Sequence, residues 1–155
     1  MKKIRLTELL IFIFSTELVG ALSGIIAGNS FEIYSGLVKP PLSPPSWLFP
    51  LMWAILYALM GASAYIVYYA DKDGRKNNLI LYGIQLFFNF IWSIIFFRFR
   101  LIGVSVAVIL ILIVLVIRMI MQFRKSNKIA GYINIPYLIW LIFALYLNIG
   151  VFILN

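Results

Sequence analysis

Five long apolar stretches dominate the chain, and short polar connections separate most of them. A membrane-crossing helix needs roughly 20 mostly apolar residues. The stretches that meet this length are about 6–27, 47–70, 79–98, 101–122 and 132–154. None of them alternates polar and apolar residues with a period of two, so they predict helices rather than strands. The pattern predicts an all-α bundle of five transmembrane helices, forming a single domain over residues 1–155.

Composition supports a membrane environment. The chain is 64% hydrophobic and 12% charged, whereas a soluble domain is about half apolar and about a quarter charged. The chain contains no Cys and no His, which excludes disulfides, zinc–thiolate sites, imidazole ligation of haem, and Cys or Ser–His catalysis. The N-terminus begins like a signal peptide, but its apolar run continues to Ala27 and includes Glu17. We therefore expect a retained helix.

The basic residues predict an orientation. Lys and Arg collect on the cytoplasmic side of membrane proteins. Ten of the 13 fall at one end of the predicted bundle and three at the other, Lys39, Arg98 and Arg100. The ten are Lys2, Lys3, Arg5, Lys72, Arg75, Lys76, Arg118, Arg124, Lys125 and Lys128. This places the N-terminus in the cytoplasm and the C-terminus outside. The net charge of +8 then reflects topology and contact with lipid headgroups, and it needs no nucleic-acid partner.

Polar and aromatic side chains share stripes on three predicted helices. Gln85, Asn89 and Trp92 are spaced i, i+4 and i+7, and similar stripes run along the second and fifth helices. Amides inside a membrane usually face the bundle interior. Two interpretations stay open: the amides join helices by hydrogen bonds, or they line a pocket with aromatic walls. The stripes on the other two helices are Trp53, Tyr57, Gly61, Ala64 and Tyr68, and Tyr137, Trp140, Ala144 and Asn148.

The first helix carries a ridge of small residues, Gly20, Gly24 and Gly28. Such a ridge allows another helix to approach closely, either within the bundle or across a homodimer. Glu17 lies in the middle of the same helix, where a charged and unpaired carboxylate costs roughly 3 kcal/mol. A protonated carboxyl group and a hydrogen bond to a neighbouring helix both fit this position.

The segment "KPPLSPPSWLFPLMWAILYALMG" resembles the signature of the translocator protein family, also called tryptophan-rich sensory proteins (TspO/MBR). The resemblance continues through "LYGIQLFFNFIWSIIFF" and "PYLIWLIFALYLN". It implies a small bacterial protein of the plasma membrane, commonly a homodimer, with a ligand pocket opening toward the loop at residues 29–46. Members of the family bind protoporphyrin IX and related tetrapyrroles, synthetic isoquinoline carboxamides and benzodiazepines. No cofactor is required.

The resemblance also implies which residues form the pocket. Motif positions carry over to Ser23, Ile26, Trp47, Phe49, Met52, Trp53, Tyr57, Asn89, Trp92, Ala107, Ile111, Trp140, Ala144 and Leu147, and Gln85 is a further polar candidate. One departure concerns the end of helix five. It reads "ALYLNIGVFILN" and lacks the aromatic and basic residues of the cholesterol-recognition pattern, which argues against sterol binding. A second is Leu42, where some relatives have Trp.

Four functions remain open at this point. The first is tetrapyrrole binding, with Lys39 meeting a propionate at the pocket mouth. The second is light- and oxygen-dependent breakdown of the bound porphyrin. Because no acid–base pair or nucleophile is visible, this chemistry would come from the porphyrin itself. The third is transport of tetrapyrroles or similar amphiphiles, although no internal repeat of the kind found in many secondary transporters is evident. A purely structural assembly role is the fourth, and it predicts no ligand-sized cavity.

Five of the six prolines lie in "KPPLSPPSWLFP", residues 39–50. Proline stiffens a connection into extended backbone, and either Ser43-Pro44 or Ser46-Trp47 suits the start of helix two. We expect this stretch, including Pro44 and Pro45, to form a rigid lid that holds Trp47 over the cavity.

Overall fold

The computed structural model describes residues 3–155, so Lys2 of the predicted basic end lies outside the described residues. Five helices are long and apolar enough to cross a membrane, and the described residues contain no strand. This confirms the predicted all-α fold of a multi-pass membrane protein. The long helices are α1 (Leu6–Ala27), α3 (Leu48–Ala70), α4 (Arg75–Ser93), α5 (Ile102–Ser126) and α7 (Ile135–Leu154), and the short ones are α2 (Ser30–Ser35) and α6 (Lys128–Tyr132).

Several helix ends differ from the sequence prediction. Helix α4 begins four residues earlier than expected, whereas the π-helical turn Ile94–Arg98 that follows it ends at residue 98, as predicted. Helix α5 ends four residues later because Arg124 and Lys125 continue its last turn, where cations interact favourably with the helix dipole. Hydropathy alone misses these charged turns, since it marks only the apolar part of each helix.

The bundle core lies between α3, α4, α5 and α7. Leu56, Met60, Leu112, Tyr137 and Leu141 are almost completely buried there. Helix α1 packs beside α3, and Gly61 of α3 lies against the backbone of α1. A Cβ on Gly61 would lie 2.6 Å from the Ile13 Cα, so only glycine fits between these two backbones.

One end of the bundle carries a polar network between α3, α4 and α5. Ser126 donates a 2.5 Å hydrogen bond to Asp71, Asn78 donates to Ser126 at 3.1 Å, and Gln122 donates to Asn78 at 2.8 Å. The Ser126 hydroxyl and the Gly74 backbone N–H lower the pKa of Asp71. Arg5 joins the same end of the bundle, where its backbone N–H donates to Tyr65 at 2.9 Å. The side of the membrane that this end faces stays a prediction.

The loop between α1 and α3 closes the opposite end. It contains α2, which the sequence analysis did not predict, and hydrogen bonds hold it both to itself and to α7. Tyr34 donates to the Pro44 carbonyl and Tyr146 of α7 donates to the Pro41 carbonyl, both at 2.7 Å. Helix α3 begins at Leu48, one residue after the second predicted start, so Pro50 lies in its first turn. Because first-turn N–H groups have no intrahelical partner, Pro50 removes no helical hydrogen bond.

Candidate functional site

A cavity of about 520 Å³ lies between α1, α3, the end of α4 and α7, beneath the loop. This volume is within the usual range for small-molecule sites, roughly 300–1,000 Å³. Its lining is mostly apolar and aromatic, with a few polar side chains. The aromatic members are Phe31, Tyr34, Phe49, Trp53, Tyr57, Trp92, Phe96 and Phe97, and the polar ones are Glu17, Ser23, Ser30, Ser46, Asn89, Ser93 and Asn148.

The aromatic lining presents flat faces in fixed orientations. Trp53 stacks on Tyr57, with ring centroids 5.5 Å apart and planes 29° apart. Trp92 and Phe96, from α4 and the π-helical turn that follows it, pack at the same centroid distance. Near the loop, Tyr34 meets Phe49 edge to face at 4.9 Å, and burial raises the pKa of the Tyr34 hydroxyl. Paired rings of this kind suit a planar apolar ligand.

A buried chain of hydrogen bonds supports the inner wall of the cavity. Tyr57 donates to Asn89 Oδ1 at 2.6 Å, and Asn89 Nδ2 donates to the Tyr137 hydroxyl at 2.8 Å. Tyr137 in turn donates to Gln85 at 2.9 Å, and Gln85 donates to the Met60 sulfur at 3.6 Å. These bonds join α3, α4 and α7. The two interpretations of the amides therefore combine: they connect helices, and Asn89 also lines the cavity.

A second set of bonds orients Trp92. Its Nε1 donates to Asn148 Oδ1 at 3.0 Å, and Asn148 Nδ2 donates to Ser105 at 3.0 Å. On the facing helix, Ser23 donates to the Phe90 carbonyl at 2.9 Å and hydrogen-bonds Ser93. Each of these groups already has a partner, so the walls are held in place by the protein.

The glycine ridge of α1 faces the cavity. Gly20, Gly24 and Gly28 all line it. A Cβ on Gly20 would lie 2.1 Å from the Tyr57 ring, whereas a Cβ on Gly24 would meet nothing within 4 Å. Gly20 therefore allows α1 to pack against Tyr57, and Gly24 leaves open volume. Gly28, with φ of 85°, ends α1 in a conformation that favours glycine.

Glu17 also lines the cavity. Among the described residues, no group donates a hydrogen bond to its carboxyl group and no cation lies within ion-pair distance. Of the two possibilities that the sequence left open for Glu17, the hydrogen bond to a neighbouring helix is therefore not formed among the described residues. The described residues also hold no cluster of three or more His, Cys, Asp or Glu side chains that suits a metal ion.

Comparison with known proteins identifies the family. The model of the TspO/MBR family matches residues 12–154. The chain is 36% identical over 137 residues to the tryptophan-rich protein TspO of Chlorobaculum tepidum, covering 83% of this chain and 87% of that one. The chain belongs to the TspO/MBR family.

Other relatives cover similar shares. The tryptophan-rich sensory protein of Cereibacter sphaeroides is 36% identical over 124 residues, covering 80% of this chain and 77% of its own. The translocator protein of Ovis aries is 32% identical over 126 residues, covering 79% and 75%. The resemblance seen in the sequence is confirmed by these matches. The TspO/MBR motifs therefore span bacterial and animal relatives of this chain.

The structure brings together many of the residues that the TspO/MBR resemblance implied. Those that line the cavity are Ser23, Phe49, Trp53, Tyr57, Asn89, Trp92, Ala144 and Leu147. Met52, Gln85 and Trp140 instead belong to the packed interior beside it. The rings of Trp140 and Phe49 pack edge to face with their centroids 5.9 Å apart, and Trp140 Nε1 is buried without a hydrogen-bond partner.

The remaining four implied residues lie on the surface of the bundle. Ile26, Trp47, Ala107 and Ile111 are exposed on the surface of the bundle, and none contributes to the cavity lining. For Ala107 and Ile111 the reason is the rotation of α5, which turns Ser105, Val108, Ile109 and Leu112 inward. Helix α5 forms an outer wall of the TspO/MBR bundle rather than a wall of this cavity.

The lid differs from the expectation. Trp47 is 63% exposed and does not cover the cavity. Pro44 and Pro45 do not line it either, although their neighbours Ser46, Phe49 and Pro50 do. The Lys39 ammonium donates to the carbonyls of Tyr34 and Leu37 at 3.1 and 3.2 Å, so it holds the loop together instead of facing the cavity mouth.

Sequence reasoning did not select several lining residues. Phe31 and Tyr34 come from α2, a helix of six residues that is too short and too polar to be detected from hydropathy. Phe96 lies four positions after Trp92, so extending the stripe of α4 by one turn finds it. Phe97 also lines the cavity because the π-helical turn widens the helix end.

Proposed function

We propose that this TspO/MBR chain binds a porphyrin-type tetrapyrrole, such as protoporphyrin IX, in the cavity between its helices. The observation that carries this proposal is the cavity of about 520 Å³, whose lining includes aromatic pairs from both α3 and the end of α4. A porphyrin is flat and largely apolar, so it gains from stacking on such faces and from leaving water. A purely structural protein has no need for a ligand-sized space at this position.

The chemistry of the lining favours a metal-free ring. The chain contains no His and no Cys, which are common protein ligands of haem iron. The hydroxyl and amide groups of Tyr57 and Asn89 lie in the lining and suit polar atoms of a ligand better than they suit iron. Synthetic isoquinoline carboxamides and benzodiazepines, which are also flat aromatic molecules, are proposed to occupy the same cavity.

We further propose the location and assembly that the family resemblance implies. The chain lies in the plasma membrane with its N-terminus in the cytoplasm, as the distribution of Lys and Arg favours. It forms a homodimer, surrounded by membrane lipids. The orientation is tested by fusing a reporter to either terminus and measuring whether protease added to whole cells can cleave it.

Light-dependent breakdown of the bound porphyrin is compatible with this cavity. An excited porphyrin converts oxygen into reactive species, and Trp53 or Trp92 in the lining lies where such species would form. We expect degradation products only with light and oxygen. Equal product in the dark would exclude this chemistry. Transport is the alternative function, and uptake of the porphyrin into sealed vesicles by purified protein distinguishes it from binding alone.

The binding test uses the open space at Gly24. Gly24 lines the cavity and a Cβ there meets nothing within 4 Å, so we expect the side chain of Gly24→Leu to occupy part of the proposed site. Gly83 is the matched control, because its Cβ also meets nothing within 4 Å and it does not line the cavity. We expect saturable quenching of Trp fluorescence by protoporphyrin IX in wild type and in Gly83→Leu, with affinity at least tenfold lower in Gly24→Leu.

Two outcomes contradict the proposal. One is the absence of saturable binding to the wild-type protein. The other is equal affinity of the Gly24→Leu and Gly83→Leu variants, which would place any bound porphyrin outside this cavity.

A further inference from the structure

A second cleft adjoins the aromatic cavity at the end of the bundle that carries the loop. Its volume is about 570 Å³, and it shares Ala27, Phe96 and Phe97 with the aromatic cavity. Its lining is much more polar and includes Arg98 and Arg100. An apolar compartment and a cationic one therefore lie side by side, separated by three shared side chains.

The two guanidinium groups are available to an anion. Among the described residues, no carboxylate lies within ion-pair distance of either one. Arg98 donates one 2.9 Å hydrogen bond to the Ile26 carbonyl, which leaves its other donors free. Arg100 is exposed, in the tight turn between α4 and α5. Arginine presents a planar fork of donors that matches a carboxylate.

One acidic group shares the cleft. Glu32 lines it, and its carboxylate accepts a 3.4 Å hydrogen bond from Asn29. The charges that face the cleft are therefore two cations and one anion. The remaining cation at this end, Lys39, is engaged with two loop carbonyls and lies 4.8 Å from the centroid of the Tyr34 ring. Lys39 lines neither compartment.

We propose that the Arg98–Arg100 cleft receives the carboxylate edge of an amphiphilic ligand whose apolar ring occupies the aromatic cavity. This inference rests on the proposed function and deepens it, because it assigns the acid-recognising groups of the site. It selects ligands that carry an anionic group on one side of a flat apolar body. The ring lies against the aromatic pairs, and the acid group passes the shared residues to reach the guanidinium groups.

The alternative is a site for the phosphate of a lipid headgroup. Interfacial arginines attract anionic lipids by charge alone, and such binding needs no aromatic cavity beside it. The adjoining compartments favour a single ligand with an acid group attached to the ring. This difference decides the choice of probes.

The test compares protoporphyrin IX with its dimethyl ester, which has the same ring and no carboxylates. Protein is placed in nanodiscs of phosphatidylcholine, and affinities are measured for wild type, Arg100→Gln, the double variant Arg98→Gln/Arg100→Gln, and Lys39→Gln. We expect the diacid to bind about tenfold more weakly to the double variant, and the ester to bind equally to all four. Arg118→Gln, at the other end of the bundle, controls for the loss of one positive charge.

Several results overturn the proposal. Equal weakening of acid and ester means that the arginines only support the fold, and unchanged affinity for both means that they do not contact the ligand. Loss of acid selectivity in Lys39→Gln instead of the arginine variants assigns recognition to Lys39. An arginine effect that appears only when phosphatidylglycerol is added to the nanodiscs identifies a lipid site. If neither porphyrin binds wild type, the proposed function itself fails and this inference fails with it.

Discussion

The Tyr57 hydroxyl donates a 2.6 Å hydrogen bond to Asn89 Oδ1, and this bond joins α3 to α4 at the wall of the cavity. Tyr57→Phe keeps the ring that packs against Gly20 but removes the donor. Because it leaves a buried acceptor without a partner, we expect a loss of about 1–3 kcal/mol in the free energy of unfolding. Unfolding in mixed micelles with increasing SDS measures it.

The matched control for this variant is Tyr132→Phe, since Tyr132 is 49% exposed. Its stability should stay within about 0.5 kcal/mol of wild type, as for other surface substitutions. If Tyr57→Phe is as stable as Tyr132→Phe, the hydrogen-bond chain does not support the cavity wall.

The contact of Gly61 with α1 predicts a steric effect. In Gly61→Ala the new Cβ meets the backbone of Ile13 at 2.6 Å, so α1 must move away. We expect a loss of about 1–3 kcal/mol, the usual cost of overpacking. Gly83→Ala, with open space around its Cβ, should be neutral or more stable by up to about 1 kcal/mol. A stable Gly61→Ala variant would mean that α1 adjusts freely.

The two tryptophans at the start of α3 are predicted to contribute unequally to ligand binding. Trp53 lines the cavity and stacks on Tyr57, whereas Trp47 is 63% exposed. Trp53→Ala removes a stacking face and about 2 kcal/mol of buried contact, so affinity for protoporphyrin IX should fall at least tenfold. Trp47→Ala should bind as wild type does. If Trp47→Ala instead loses more affinity than Trp53→Ala, Trp47 contacts the ligand, as the lid predicted from the sequence requires.

Asp71 predicts a dependence of stability on pH. The hydrogen bonds from Ser126 and Gly74 lower the pKa of this carboxyl group in the folded protein. Its stabilising effect is therefore present above the unfolded pKa of about 3.9, and it is lost as pH falls through the lower folded value. Asp71→Asn should be less stable than wild type at pH 7, and the difference should shrink below pH about 4. Thermal unfolding in detergent across this range tests it.

Glu17 is expected to lower the stability of the folded protein. Its carboxyl group lines the cavity and no described residue hydrogen-bonds to it, while a charged side chain inside a membrane costs up to roughly 3 kcal/mol. Glu17→Gln should therefore raise the midpoint of thermal unfolding in lipid nanodiscs. Glu32→Gln, an exposed residue outside the long helices, should not. A lower midpoint for Glu17→Gln would show that the ionised carboxylate stabilises the fold.

The sequence by itself determined the five membrane-capable helices and the family. Backbone groups in lipid must be satisfied within each segment, so long apolar runs leave only one secondary structure, and α1 matches its predicted bounds of 6–27. The stripe of Asn89 and Trp92 also reached the cavity as expected, because residues four and three apart share a helix face.

Only the tertiary structure decided which faces turn inward. Lipid and protein interior are both apolar, so hydropathy does not fix the rotation of a helix such as α5, and Ala107 and Ile111 lie on its outer side. The same holds for the loop, where Tyr34 reaches Pro44 and Lys39 turns to carbonyls. Those contacts depend on the three-dimensional path of the chain, which removed Trp47 and Lys39 from the expected site and placed Phe96, Phe97 and Glu17 in the cavity wall.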